Sequence, residues 1–396
     1  MTGARPLRNF AGMIQRRSGD NFGLRLGVLF ACLFLVIGIQ FPFFPLWLKT
    51  RGLDAEGIGI VLATPIVIRI VAVPLVSRAV DRAGDLCGGL IVTAFGAAVG
   101  FAIVGLAYGF IPILLAVALA SLAAAPITSL ADAYALRGLS LRQRAYGPLR
   151  LWGSIAFIAA NLGTGLLLNT LAPKNLVWLI VAEFVLLGSS ALFLSRLDAT
   201  PSSDAKPGGK PSGHLWKAPG FLAIAIAASL IQASHALYYG FSTVDWTAKG
   251  LSSTTIGILW ALGVVAEIVL FAFSGRLTLN PGTLVAIGAA GAVIRWFVMV
   301  FDPPLPLLAC VQCLHGLSFG ATHLGAIQFV ARLAGDRKAA AAQGDFATLL
   351  AIGNAAATGA AGFLYGTLGD YSYAVMAAMA ALGGLTIAAA RRMHIN

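Results

Sequence analysis

The sequence predicts an all-α polytopic membrane protein of twelve transmembrane helices arranged in two six-helix halves. Three observations predict it. The 396 residues are 59% hydrophobic and 11% charged, against about 45–50% apolar and about 25% charged in soluble globular chains. The apolar residues fall into twelve runs, each near the roughly 20 residues that a helix needs to cross a bilayer. A polar segment divides these runs six and six, and a short internal repeat relates the two sets.

The predicted spans, in order, are 23–48, 56–78, 86–108, 110–136, 147–171, 175–195, 219–244, 254–275, 281–301, 305–332, 343–366 and 371–390. Their hydrophobicity is continuous rather than alternating, which selects helices over barrel strands. Placing both termini on one side puts 21 of the 27 Lys and Arg on that side, among them Arg78, Arg82, Arg137, Arg142 and Arg332. Lys49, Arg51, Lys174 and Lys249 are left on the other, and Arg69 and Arg295 fall within spans. The positive-inside rule therefore sets both termini in the cytoplasm, in a multi-pass protein of the inner membrane. Residues 1–22 carry bases but no short apolar core with a small-residue cleavage site, so the first span is expected to be retained. The net charge of +12 does not predict a nucleic-acid partner, because the bases sit in short gaps between spans instead of forming a patch. The bilayer is the expected partner of this surface, and the protein is expected to be a monomer.

Residues 196–218, RLDATPSSDAKPGGKPSGHLWKA, have the Pro, Gly, Ser and Lys content of a flexible linker. They separate an N-terminal half, 1–195, from a C-terminal half, 219–396. Residues 51–60 read RGLDAEGIGI and residues 249–258 read KGLSSTTIGI, so a basic residue, Gly, Leu, Ile, Gly and Ile recur at an offset of 198. In the same register Phe43 corresponds to Phe241, Arg78 to Arg276, and Arg69 to Glu267. Duplicated halves related by an axis along the membrane normal are one of the architectures of secondary transporters.

A charge at mid-helix in lipid costs about 2.5–3.5 kcal/mol even on the lenient insertion scale, so the few that occur are functional candidates. They are Arg69, Asp132, Glu183, Glu267 and Arg295, with His235, His315 and His323 as titratable company. Asp132 lies about one turn from the end of span four and Arg150 about one turn into span five, which puts a pair within reach. Arg150, Ser154, Phe157 and Asn161 are spaced 4, 3 and 4 and form one helical stripe. Gln232, His235 and Tyr239 form a second stripe, and Gln312, His315 and Phe319 a third, which His323 extends. Glu267 and Arg295 lie in adjacent spans. A buried carboxylate near a base and a His suits proton coupling, since desolvation and a neighbouring cation act on its charge in opposite directions. Glu183 has no partner in the sequence pattern and is expected to be a helix-packing or partly hydrated residue rather than a coupling site.

Cys310 and Cys313 in CVQCLH lack the His directly after the second Cys that haem attachment needs and the further ligands that zinc needs. With Cys32 and Cys87 they read as small apolar residues. There is no HExxH, GxSxG, GxxxxGK or GxGxxG in context, so neither an enzyme nor a cofactor or metal is expected. Transport, without a nucleotide domain, must run on a gradient or downhill.

YGPLRLWGSIAF at 146–157, QASHALYYGFS at 232–242 and LWALGVVAEIVLFAFS at 259–274 resemble the major facilitator superfamily, within it the phenylpropionate permease branch that neighbours the oligosaccharide and nucleoside proton symporters. SRAVDRAGD at 77–85 resembles the superfamily's loop motif, with Ser77 at a usual Gly position and Asp81 and Arg82 kept. In the family these two help to hold the halves in one conformation. The proline-containing antiporter motif is missing from span five, which argues against efflux. Compared with lactose permeases, Asp132 and Arg150 look like the sugar-binding Glu and Arg, and Glu267, Arg295 and His315 look like the charged and His residues of spans eight to ten. Ser318 stands where the proton-carrying Glu is usual, and Phe157 where a Trp stacks on galactose.

The resemblance implies a proton-coupled symporter for uptake of a small organic solute such as an aromatic carboxylate, working by alternating access. Arg69 is the candidate for a substrate carboxylate, and Phe157, Tyr239 and Trp260 for its ring. Asp132, Arg150, Ser154 and His235 complete the candidate substrate lining; Glu267, Arg295, His315 and Asp132 are the candidate proton groups. A sugar or nucleoside symporter of the same fold is the alternative, and a receptor or assembly factor on a transporter fold is a third.

Overall fold

In the computed structural model, which describes residues 21–143, 147–195, 197, 218–276, 279–334 and 339–392, every regular element is helical. The helices are α1 (Phe22–Thr50), α2 (Ala55–Ala83), α3 (Leu86–Leu106), α4 (Phe110–Ala124), α5 (Ile127–Ser140), α6 (Gly147–Leu167) and α7 (Leu176–Leu192). After the segment 198–217, which lies outside the described residues, come α8 (Pro219–Ala233), α9 (Ala236–Ala248), α10 (Ser253–Phe273), α11 (Pro281–Met299), α12 (Leu305–Cys313), α13 (Thr322–Ala334), α14 (Ala339–Leu368) and α15 (Ser372–Arg392). Among the described residues, ten helical stretches are long and apolar enough to cross a membrane, and Trp152–Leu167 is a shorter apolar one. The last of the ten, Ala342–Ala390, is divided into α14 and α15 by a 3-10 turn at Gly369–Tyr371. Membrane helices tolerate internal proline because neighbouring helices satisfy the freed carbonyls; α1 keeps Pro42 and Pro45 within an unbroken helix, and α2 keeps Pro65 and Pro74.

The sequence repeat at 51 and 249 is a turn with a physical reason for each shared residue. Gly52 and Gly250 sit at φ 82° and 84°, left-handed backbone that favours glycine. Each ends a helix in a C-cap of the Schellman kind, in which the next N–H bonds back, Leu53 to the carbonyl of Leu48 and Leu251 to that of Trp246. The following residue then caps the next helix: the Asp54 side chain accepts from the Gly57 N–H at 2.8 Å and Ser252 from the Thr255 N–H at 3.1 Å.

The basic residue ahead of each glycine ties neighbouring loops together. Arg51 donates to the carbonyl of Gly105 and lies over the rings of Tyr108 (4.3 Å) and Trp47 (4.9 Å), while Trp47 donates to the carbonyl of Lys174 at 3.1 Å. Lys249 reaches Asp245 at 2.9 Å, Asp302 at 2.7 Å and Asp370 at 2.7 Å. Burial opposes the charge on Lys249, but the hydrogen bonds from the three carboxylates outweigh it and hold the ammonium pKa above the ordinary lysine range. The same role is filled by cation–π contact in one group and by ion pairs in the other. At the opposite end, where residue 21 lies, Ser195 is gripped by Arg25, Cys87 and Tyr134.

The most extensive packing in the bundle joins α2 to α14; the other contacts between α1–α7 and α8–α15 run chiefly along α6 with α10 and α1 with α9. The closest approaches lie toward the end that carries Arg51 and Lys249. A Cβ on Gly59 would stand 2.8 Å from the Cα of Gly362, and one on Gly257 2.5 Å from the carbonyl oxygen of Asn161. Asn169 donates to the Thr254 hydroxyl at 2.8 Å across the same boundary. Of the six fully buried residues of α2, four lie between Gly57 and Val61.

Lys249→Met leaves three carboxylates facing one another and is expected to cost about 1–3 kcal/mol, read as a drop of roughly 2–5 °C in detergent melting temperature. A raised lysine pKa contributes fully below the unfolded value and is lost only as pH rises past it. The deficit is therefore expected to stay level between pH 6 and 9.

Candidate functional site

Three helix breaks bring polar groups to the middle of the bundle. The chain breaks at Ala125–Pro126 between α4 and α5, at Ser234–His235 between α8 and α9, and after α12, where a π-helix, Gly316–Ala321, leads into α13. Broken helices and π-turns free backbone groups and re-aim side chains, which is why they gather at binding sites in transporters. The first break opens α5, which carries Asp132; the second and third hold His235 and His315.

Arg295 on α11 is fully buried. Its Nη1 donates to Nδ1 of His315 at 2.9 Å and its Nη2 to Oε1 of Gln312 at 2.6 Å. Its guanidinium lies 4.3 Å from the Tyr238 ring centre and 4.6 Å from that of Trp296. Arginine can only donate, so Nδ1 of His315 is an acceptor and a neutral His315 carries its proton on Nε2. That nitrogen stands 3.9 Å from Oε2 of the half-buried Glu267, beyond a direct hydrogen bond. The result is a row of guanidinium, imidazole and carboxylate from three helices.

His235 is set the other way. Its Nδ1 lies 3.1 and 3.2 Å from the carbonyls of Ile231 and Gln232, which can only accept, so Nδ1 bears the proton. The bare Nε2 accepts from the Ser318 hydroxyl at 3.0 Å. The two imidazoles sit 5.5 Å apart, edge to face. Gln232 donates to the Phe319 carbonyl at 3.3 Å, and His315, Phe319 and His323 stack in succession at 5.3 and 5.8 Å.

Above this polar set is a wall of rings. Tyr239 stacks on Trp260 at 6.0 Å, Tyr238 lies 4.6 Å from Trp260, and Trp260 donates to Thr243 at 3.1 Å. On α10, Trp260, Gly263 and Glu267 share one face by their spacing, and at 1.5 Å per residue Glu267 lies about 10 Å further than Trp260 toward the end where α1 begins.

The expected stripes of spans seven and ten thus converge with Glu267 and Arg295, with His315 standing between the two charges. Arg69 lies apart, exposed on α2 with no hydrogen bond or ion pair to a described residue. Asp132, Ser154 and Phe157 are half-buried. The Arg150 side chain, and with it the expected pair with Asp132, lies outside the described residues. Asn161 is fully buried and donates to the carbonyl of Phe157 at 2.7 Å. Asp81 and Arg82 are exposed at the end of α2, where Gly84 at φ 68° stops the helix and Asp85 caps α3 by accepting from Gly88. Glu183 keeps one buried carboxylate oxygen without a hydrogen-bond partner among the described residues. Three contributors were not singled out from the sequence: Tyr238, Trp296 and Phe41. Aromatic residues are common in apolar spans, and only their contact with Arg295 or across the two groups sets these apart.

The model of the MFS_1 like family matches residues 24–375. The chain belongs to this family of major facilitator transporters. Among its relatives, the "Probable 3-phenylpropionic acid transporter" of Escherichia coli (strain K12) is 33% identical over 365 residues, covering 88% of this chain and 92% of the relative. The maltose permease of Geobacillus stearothermophilus is 26% identical over 315 residues, 77% of this chain and 78% of the permease. Among solved structures, the nucleoside transporter NupG superposes with a TM-score of 0.83 at 16% identity, covering 93% of this chain and 99% of NupG. A bacterial homologue of the human lysosomal transporter Spinster gives 0.74 at 14% identity, covering 98% of each chain. This major facilitator chain is a multi-pass membrane protein whose relatives are transporters.

Gln312→Leu removes an acceptor from a buried cation and is expected to cost about 2–3 kcal/mol. Ser318→Ala removes one neutral hydrogen bond, for about 1 kcal/mol. Melting of the purified variants in detergent is expected to rank them in that order.

Proposed function

We propose that this transporter is a proton-coupled symporter that takes up a small aromatic carboxylate, of the class of 3-phenylpropionate, across the inner membrane by alternating access. The observation that carries the coupling is the row from Arg295 through His315 to Glu267. Arg295 is a cation in the membrane interior whose nearest described negative group in that row stands behind a neutral imidazole. Protonating Glu267 removes that negative charge, and the Nε2 proton of His315 gives the carboxylate a nearby partner when it ionises. Proton occupancy and the electrostatics of the site are thereby linked.

The architecture supporting this reading is two halves of six spans each, 1–195 and 219–396, joined by the linker 196–218, with twelve crossings and both termini cytoplasmic. The halves meet near Gly59, Gly257 and Gly362, at the end opposite the start of α1, so with that start cytoplasmic the site faces the cytoplasm. Rocking about the site would expose it to the other side. Arg69, unpaired among the described residues, takes the substrate carboxylate; Phe157, Tyr239 and Trp260 take the ring. Asp132, Arg150, Ser154 and His235 supply polar lining, and Asp81 with Arg82 bias the halves toward one conformation. The similarity to a maltose permease favours a second reading, a neutral sugar or nucleoside bonded by Asp132 and Arg150, and competition by neutral against anionic compounds separates the two.

In proteoliposomes an acid-outside gradient is expected to drive accumulation of 3-phenylpropionate and to lose this effect with a protonophore. Glu267→Gln should lose gradient-driven accumulation by at least about tenfold while retaining exchange of labelled for unlabelled substrate. Wild-type uptake indifferent to pH would overturn the symport reading. Arg69→Gln is expected to raise KM for carboxylates about tenfold or more, as loss of a charge-assisted contact of about 1.5–3 kcal/mol implies; unchanged carboxylate kinetics would remove Arg69 from the site.

A further inference from the structure

We propose that Phe41 is a specificity-determining residue, the third wall of a slot that accepts one flat aromatic ring. This rests on the aromatic-carboxylate reading above and adds to it a residue on α1. Phe41 is 46% exposed, whereas its neighbours Ile39, Pro42, Phe43 and Phe44 are buried. It belongs to the group α1–α7, yet its ring stands edge-on to two rings of the other group, Tyr239 at 4.9 Å and 69° and Trp260 at 6.4 Å and 87°. Tyr239 and Trp260 themselves stack at 25°. A large ring that is nearly half uncovered and in edge contact with two stacked rings of the opposite group has surface left for a further ring.

The slot is continuous with the charged row. Trp260 adjoins Tyr238 at 4.6 Å, and Tyr238 lies against the Arg295 guanidinium at 4.3 Å. A ring placed against Phe41, Tyr239 and Trp260 therefore sits on a path of direct contacts that leads to Arg295 and His315. An edge-to-face partner favours an aromatic ring over a saturated ring of similar size, because a ring edge is positive and a ring face negative. Phe41 also lies on one group while Tyr239 and Trp260 lie on the other, so a ring held among all three favours the approach of the groups.

The test compares uptake of 3-phenylpropionate with that of 3-cyclohexylpropionate, which has the same carboxylate and chain length. The wild-type protein is expected to show a lower KM for the phenyl acid by about two- to tenfold, the range of a favourable aromatic pair. Phe41→Leu should bring the two KM values together by raising that of the phenyl acid, with kcat for both kept, and Phe41→Trp should retain the preference. An unchanged preference in Phe41→Leu, or an equal loss for both acids in a variant that melts normally, would overturn the proposal and leave the aromatic-carboxylate reading standing. Should Phe41→Leu fail to fold, Tyr239→Leu removes the facing wall and must abolish the preference; a preserved one overturns the slot. If the wild-type protein carries neither acid, the aromatic-carboxylate reading fails and the slot with it.

Discussion

A fully buried arginine in the membrane interior is the constraint around which the second group of helices is arranged. Arg295 makes no ion pair with a carboxylate among the described residues; it is held by an imidazole nitrogen, an amide oxygen and two ring faces. An uncompensated charge in a low-dielectric interior costs several kcal/mol, so each of these partners is bound to its position. Gln312 and His315 sit one turn apart on the broken helix that ends α12, and Tyr238 and Trp296 cover the guanidinium faces. The π-helix after α12 carries Ser318 and Phe319 through a different angle relative to His315 than a regular helix would, and Ser318 there meets His235.

The two imidazoles are fixed in opposite tautomers by their neighbours. His235 is tied by its Nδ1 proton to the backbone of its own helix break and is a receiver toward Ser318. His315 receives from Arg295 and offers its remaining proton toward Glu267. Similar residues at similar depth thus have different chemical directions, and only His315 connects a cation to a carboxylate. This difference, rather than the presence of histidine in a span, separates a candidate proton group from a packing group.

The repeated turn accounts for part of the frame but not for the site. The turn at 51–54 and its counterpart at 249–252 share an αL glycine, a backbone-bonded leucine and a helix cap, because a helix end in this position needs all three. The basic residue between them met different neighbours in the two groups, aromatic rings and a carbonyl in one, three carboxylates in the other. The offset also pairs Arg69 with Glu267, and these differ most of all: one is exposed on α2, the other approaches His315.

Continuous apolar runs and the repeated turn were legible in the sequence because they follow from composition and period alone, as did the helical stripes of Gln232, His235 and Tyr239 and of Gln312, His315 and Phe319. Helical spacing says which residues share a face; it does not say which faces meet. That Arg295 reaches His315 and Gln312 rather than Glu267, that Ser318 serves His235, and that Phe41 crosses to Tyr239 and Trp260 depend on packing between helices 17 to 219 residues apart in sequence. Apolar side chains in lipid-facing and core positions are chemically alike, so the aromatic contributors carried no distinguishing mark in the sequence. Hydrophobicity settled that the chain lies in a membrane, and the tertiary structure decided which of its few polar groups face one another, because in a bilayer only a neighbouring helix can satisfy them.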